Sequence, residues 1–206
     1  MEAVFIDHYD SFSFNLIAWL LGKDSGVRLQ RIGFDDTRAL RELQFKPQPL
    51  VLSPGPKAPL DATTSLELVQ QWRGRVPILG VCLGHQILGA ALGGRIVQAQ
   101  HPFHGSLRSV HVRYHPPGVD FASSKFQATT YNSLVVDRAS LEPDWVFAEN
   151  SHGEVEGLYW QQRHAWPALG VQFHPESFLS EHQEPLRRWW WHQVELFADR
   201  MSPTGT

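Results

Sequence analysis

The stretch Gly80-Val81-Cys82-Leu83-Gly84 constrains this chain more than any other. Ahead of it runs the apolar Val76-Pro77-Ile78-Leu79-Gly80-Val81, the pattern of a parallel strand buried on both faces, and residues 85–92 continue as a helix. Strand, cysteine and helix in that order give the G-x-nucleophile-x-G form. Its glycines relieve crowding where a strained turn lifts a nucleophile above the carboxyl ends of a sheet. The helix start adds free N–H groups and a positive dipole end, which favour thiolate over thiol.

The remaining segments supply a sheet for that junction. Residues 3–7 form a short apolar run, and residues 11–21 place Phe12, Leu16, Trp19 and Leu20 at helical spacing. Residues 27–32 alternate like a strand, and residues 49–53 are a compact apolar run that halts at Pro54-Gly55-Pro56. Residues 60–72 read as a helix, with Thr63-Thr64-Ser65 offering an N-cap. Later pieces at 109–114, 126–131, 134–136, 145–148 and 157–160 are short, strand-like and separated by polar turns, as in antiparallel pairing. Residues 185–197 predict a closing helix whose Trp189, Trp190 and Trp191 are assigned to packing. The expected fold is α/β: a mostly parallel central sheet with helices on both faces, plus a smaller antiparallel sheet. With 206 residues, one domain is expected over 1–200, with 201–206 as a tail.

Charge and composition exclude several roles. A net charge of -3 leaves no basic excess for phosphates, so nucleic acid is not an expected partner. No apolar run approaches the roughly 20 residues of a membrane span, and the first residues lack a basic region followed by a long apolar one. No membrane association and a cytoplasmic location are therefore expected. The single cysteine can form neither an internal disulfide nor a thiolate cage for zinc.

A cysteine nucleophile needs a nearby base or cation. The best candidate is His174 in Gly170-Val171-Gln172-Phe173-His174-Pro175-Glu176-Ser177, where Glu176 stands two residues on and could orient the imidazole. The elbow alone leaves a buried structural thiol as a competing reading of Cys82. Ser53-Pro54-Gly55-Pro56 could aim the Gly55 N–H at the same space as that of Leu83, making an oxyanion hole; the alternative is a plain proline-glycine turn. The other ten histidines show no ligand spacing, His8 and His85 are read as structural, and neither metal nor cofactor is expected.

Together with Asp7-His8-Tyr9-Asp10-Ser11-Phe12-Ser13-Phe14-Asn15-Leu16, these motifs closely resemble class I glutamine amidotransferases over residues 4 to about 180. The opening D-x-Y-D-S-F-x-x-N-L resembles the glutaminase subunits of anthranilate synthase and aminodeoxychorismate synthase. The resemblance implies that Cys82 attacks the side-chain amide of L-glutamine, that His174 protonates the departing ammonia, and that Glu176 completes the catalytic set. It also implies that Gln86, Ser133 and Leu134 hold the α-amino and carboxylate groups, with Gly55 and Leu83 as backbone donors to the oxyanion. Ammonia would pass to a chorismate-binding synthase subunit, and no second domain is expected here for that chemistry.

Three positions depart from the family pattern. Lys57 replaces the glycine after Ser-Pro-Gly-Pro, Asn132 replaces a histidine before Ser133-Leu134, and His8 replaces an asparagine. Lys57 implies altered glutamine affinity or loop gating. A γ-glutamyl peptidase or hydrolase on the same scaffold, and a non-catalytic regulatory module, stand as the alternatives.

Overall fold

The structure, a computed structural model, describes residues 1–22, 26, 28–43, 45–100 and 105–202. Val27, His101, His104 and the last four residues of the expected tail lie outside the described residues.

Strand β1 (Glu2–Asp7) pairs in parallel with β2 (Arg28–Gly33) on one side and β3 (Leu50–Leu52) on the other. β4 (Ile78–Val81), the strand of the elbow, pairs in parallel with β3 and with β11 (Ala168–Val171). Beyond β11 the pairing turns antiparallel through β10 (Val155–Trp160), β9 (Val146–Asn150), β6 (Ser106–Val112) and β7 (Lys125–Thr130). These make one nine-stranded sheet, ordered β2-β1-β3-β4-β11-β10-β9-β6-β7. A separate two-stranded antiparallel sheet joins β5 (Ile96–Gln98) to β8 (Leu134–Val136). The expected architecture is thus observed, and most of the antiparallel strands extend the main sheet.

Successive side chains of a strand point to opposite faces, and the core divides accordingly. Ala3, Phe5, Val51, Leu79 and Val81 pack with Leu16 and Leu20 of helix α1 (Ser13–Leu21) and with Trp189 and Trp190 of α5 (Gln183–Met201). Val4, Ile6, Leu50, Leu52 and Ile78 face Leu40 and Leu43 of α2 (Thr37–Leu43), Leu68 and Trp72 of α3 (Thr63–Trp72), and Ile87 and Leu88 of α4 (Leu83–Ala91). Trp189 and Trp190 are buried and Trp191 is partly buried, in keeping with packing. The sequence reading named no element at α2 or β5. In α2 only Leu40 and Leu43 are buried, and its start is fixed by the Asp36 carboxylate accepting the Ala39 N–H at 3.0 Å. β5 is too exposed to carry an apolar alternation.

One buried polar cluster crosses β6, β9 and β10. Arg108 lies 2.9 Å from Glu154 Oε2 and 3.6 Å from Glu156 Oε1, and the Asn150 amide donates to both carboxylates at 2.7 and 3.1 Å. Among the described residues no helix is long and apolar enough to cross a membrane.

Candidate active site

β4 ends at Val81 and α4 begins at Leu83, so Cys82 alone turns the chain, at φ 53° and ψ -103°. That is a sparsely populated region for a residue with a Cβ. The turn is held by the Cys82 N–H donating to the Val171 carbonyl at 2.9 Å and by its carbonyl accepting the Gln86 N–H at 3.1 Å. Both flanking glycines are sterically required. A Cβ on Gly80 would stand 2.5 Å from the Gly84 carbonyl oxygen, and one on Gly84 would run into the Leu52 carbonyl oxygen. Neither obstacle is a side chain that could swing away.

Because β11 lies beside β4 in parallel register, with Val171 opposite Val81, the residues after both strands emerge at the same edge. His174 and Glu176 are thereby brought to Cys82. His174 is 2% exposed, and its Nδ1 lies 2.7 Å from Glu176 Oε1. Nε2 closes no hydrogen bond, yet the Cys82 sulfur is near enough to act on the ring. Burial alone would lower the His174 pKa. The charge and hydrogen-bonding capacity of the sulfur, together with Glu176, outweigh burial and raise it to about 10. The imidazolium is boxed by Phe12 and Tyr131, each edge-on to it at 5.5 and 4.9 Å between ring centres.

Cys82 opens onto a cleft of about 300 Å³, which is also lined by Gly55, Leu83, Gln86, Ser133 and Leu134. Every residue expected to touch substrate therefore borders one space. Gly55 is wedged in place: a Cβ there would sit 2.6 Å from His8 Cβ and 2.6 Å from Leu83 Cδ2. The Leu83 N–H belongs to the first turn of α4, whose amides have no intrahelical acceptor. Leu134 is limited in what it can offer, since its carbonyl already accepts from Gln86 Nε2 at 2.8 Å and Asn132 Nδ2 at 2.9 Å, filling both lone pairs. Asn132, flagged as a departure, thus closes the turn that presents Ser133.

Lys57 borders the same cleft, with its ammonium 4.9 Å above the Phe34 ring, and Phe34 in turn stacks on His8 at 5.6 Å. His8 bridges Ser53 and Ser65 through its ring nitrogens at 3.2 and 3.0 Å, and desolvation lowers its pKa to about 4. It is a neutral structural tie between the first loop and the Ser53-Pro54-Gly55-Pro56 turn. His85, fully buried with its pKa lowered to about 4 by desolvation, is structural as well. Asp7 accepts from Ser13 Oγ at 2.6 Å and Arg31 Nε at 2.7 Å, which fixes the loop that delivers Phe12.

Sequence reading assigned no role to Gln172, whose Nε2 lies 3.7 Å from Cys82 Sγ. A signal for it existed. Gln172 and His174 have the same parity, so a polar residue precedes the imidazole on the same face of an otherwise apolar run. Among the described residues no cluster of His, Cys, Asp and Glu is placed to hold a metal ion.

Comparison with known proteins points the same way. Residues 4–193 match the family described as glutamine amidotransferase class-I. The chain is 37% identical to an anthranilate synthase component 2 from Pseudomonas putida, covering 100% of this chain and 98% of that protein. It is 39% identical to an aminodeoxychorismate synthase component 2 from Escherichia coli, covering 88% and 94%. A glutamine amidotransferase from Thermotoga maritima shares the fold at a TM-score of 0.70 and 16% identity, covering 98% of this chain and 84% of that one.

Proposed function

The chain belongs to the class-I glutamine amidotransferase family, and from that premise we propose that residues 1–200 act as the glutaminase component of a chorismate-using synthase. Its reaction is the hydrolysis of L-glutamine to glutamate and ammonia through a γ-glutamyl thioester on Cys82. The observation that carries this reading is the meeting of Cys82, His174 and Glu176 at the edge of a cleft bordered by Gly55 and Leu83.

The Cys82 thiolate attacks the side-chain amide carbon, and the carbonyl electrons move onto oxygen, facing the Gly55 and Leu83 N–H groups. As the tetrahedral species collapses, the C–N bond breaks and His174 gives its Nε2 proton to the nitrogen, which leaves as ammonia. With its pKa raised to about 10, His174 carries that proton at neutral pH. Water then attacks the thioester and passes a proton to the neutral imidazole; the C–S bond breaks, restoring thiolate and imidazolium. Glu176 holds Nδ1 and balances the charge throughout.

The substrate's α-groups are met by Gln86, Ser133 and Leu134. Both hydrogens of Gln86 Nε2 are engaged, so its Oε1 is the atom left for the α-ammonium. Lys57 is the one cationic side chain among the described residues lining the cleft, which makes it the counter-charge for the α-carboxylate. Replacing Lys57 with Gly should raise the glutamine KM about two- to fivefold, the range of an exposed charge pair, with little change in kcat. Unchanged KM and kcat would remove Lys57 from substrate recognition.

A catalytic thiol is kept reduced most readily in a reducing compartment, which supports a cytoplasmic site of action. The chain is similar to components of both anthranilate and aminodeoxychorismate synthases, and the product formed with the partner would distinguish them. The test is glutamate release from glutamine by the chain alone and with a chorismate-using synthase subunit plus chorismate. Release that depends on Cys82 and rises with the synthase is the expected result. Its absence under every condition in folded protein would overturn the assignment and favour another amide substrate or a regulatory role.

A further inference from the structure

Gln172 is fully buried one residue beyond β11, and its orientation follows from hydrogen-bond bookkeeping. The Leu134 carbonyl can only accept, so the Gln86 side chain must present its amide nitrogen there, at 2.8 Å. The second hydrogen of that nitrogen points to Gln172 at 3.0 Å, which requires Gln172 to present its oxygen. Its own amide nitrogen is therefore turned toward Cys82 Sγ, at 3.7 Å. A backbone carbonyl thus dictates the direction of a chain of three bonds, and toward Gln172 the sulfur at its end can serve only as acceptor. Flipping either amide would set two donors or two acceptors against each other.

We propose that Gln172 is a catalytic donor to the Cys82 sulfur, locked in direction by Gln86 and the Leu134 carbonyl, and that it favours the thiolate and holds it toward the cleft. A hydrogen bond donated to sulfur stabilises the thiolate over the thiol, because the charged sulfur is the stronger acceptor. The role rests on the reading of Cys82 as nucleophile, but its test needs no glutamine. It also separates the two glutamines. Gln86 touches substrate space and sets the relay, whereas Gln172 is absent from the cleft lining and reaches the reaction through sulfur.

Cys82 is the only cysteine, so alkylation by iodoacetamide reports on it alone. The rate against pH should be measured for full-length wild type, Gln172→Met and Gln172→Glu. Gln172→Met removes the donor, and Gln172→Glu keeps the oxygen for Gln86 but sets a second acceptor against the sulfur. The titratable neighbours are His174 with Glu176, His85 on α4, Tyr131 and Lys57 across the cleft, and Glu156, whose backbone carbonyl accepts the Gln172 N–H at 2.9 Å. None is altered in these variants, and a Glu156→Gln background removes the one that titrates near neutrality.

The alkylation midpoint should rise by about one pH unit in Gln172→Met and further in Gln172→Glu, with kcat for glutamate release about tenfold to a hundredfold lower and KM within about twofold. A purely structural Gln172 would lower the melting temperature and leave the midpoint in place. Should neither variant fold, Gln86→Met, which frees Gln172 to turn, should raise the midpoint by a smaller amount. A midpoint unmoved in whichever of these folds overturns the proposal. A shifted midpoint in protein that releases no glutamate would leave Gln172 as the donor and overturn the glutaminase reading instead.

Discussion

Cys82→Ser should lower glutamate release by on the order of 10³-fold or more, because a serine hydroxyl in the same place does not ionise at neutral pH and is a far weaker nucleophile than a thiolate. Cys82→Gly should be equally inactive and, in contrast, more stable than the wild type. The backbone at Cys82 sits at φ 53° and ψ -103°, a conformation that costs a residue with a Cβ on the order of 1–3 kcal/mol and glycine much less. Lost in exchange are a small buried side chain and the sulfur's interactions with His174 and Gln172, so the net gain lies at the low end of that range. A gain of about 1 kcal/mol corresponds to a melting temperature higher by about 2–4 °C in a chain of this size. Activity and thermal melts on the two variants read both effects. A Cys82→Gly protein that melts below the wild type would mean that the sulfur's interactions with His174 and Gln172 outweigh the backbone strain, while residual turnover in Cys82→Ser near the wild-type rate would remove Cys82 as the nucleophile.

Arg108→Met should destabilise the fold by about 3–5 kcal/mol, the usual cost of leaving a buried charge without its partner. Arg108 is 7% exposed and faces Glu154 and Glu156, which are 6% and 0% exposed. Adding Glu154→Gln to Arg108→Met should recover part of the loss. Glu156 adds a pH dependence. Desolvation, reinforced by Glu154 and opposed by Arg108 and Asn150, raises its pKa from 4.5 to about 7. Between those values the unfolded chain releases a proton that the folded protein keeps, so stability falls as pH rises from about 4.5 to about 7 and the penalty is complete above that. Glu156→Gln mimics the protonated form. It should flatten this slope and raise stability at pH ~8 by on the order of 1–3 kcal/mol. Urea melts at pH ~5 and ~8 measure it, and an unchanged slope would show that the Glu156 pKa is not raised by folding.

Local order along the chain fixed much of this protein. A buried apolar run carrying the G-x-nucleophile-x-G form and leading into a helix points to a parallel α/β sheet, and the clash that bars a Cβ at Gly80 arises within that turn, whereas the one at Gly84 is with Leu52 of β3. The motifs around Cys82 and His174 could be picked out along the chain, and the parallel register of β4 and β11 carries the residues after both strands to one edge. Helix α2 and strand β5 were not legible. Their burial depends on neighbours rather than on a period within their own few residues.

What the fold alone decided is which atoms remain free. Side-chain identity says that Gln86 and Leu134 can bind; only their mutual bonds show that the Leu134 carbonyl and the Gln86 amide nitrogen are already spent. Gln172 became a neighbour of the Cys82 sulfur, and Phe12 and Tyr131 the walls around the His174 ring, through contacts between segments 90, 162 and 43 residues apart. The clustering of Arg108 with two buried acids is of the same kind. Hydrophobic and steric patterns repeat along a chain and can be read there, whereas the saturation of a hydrogen bond or the protonation of a buried acid depends on atoms that only tertiary packing brings together.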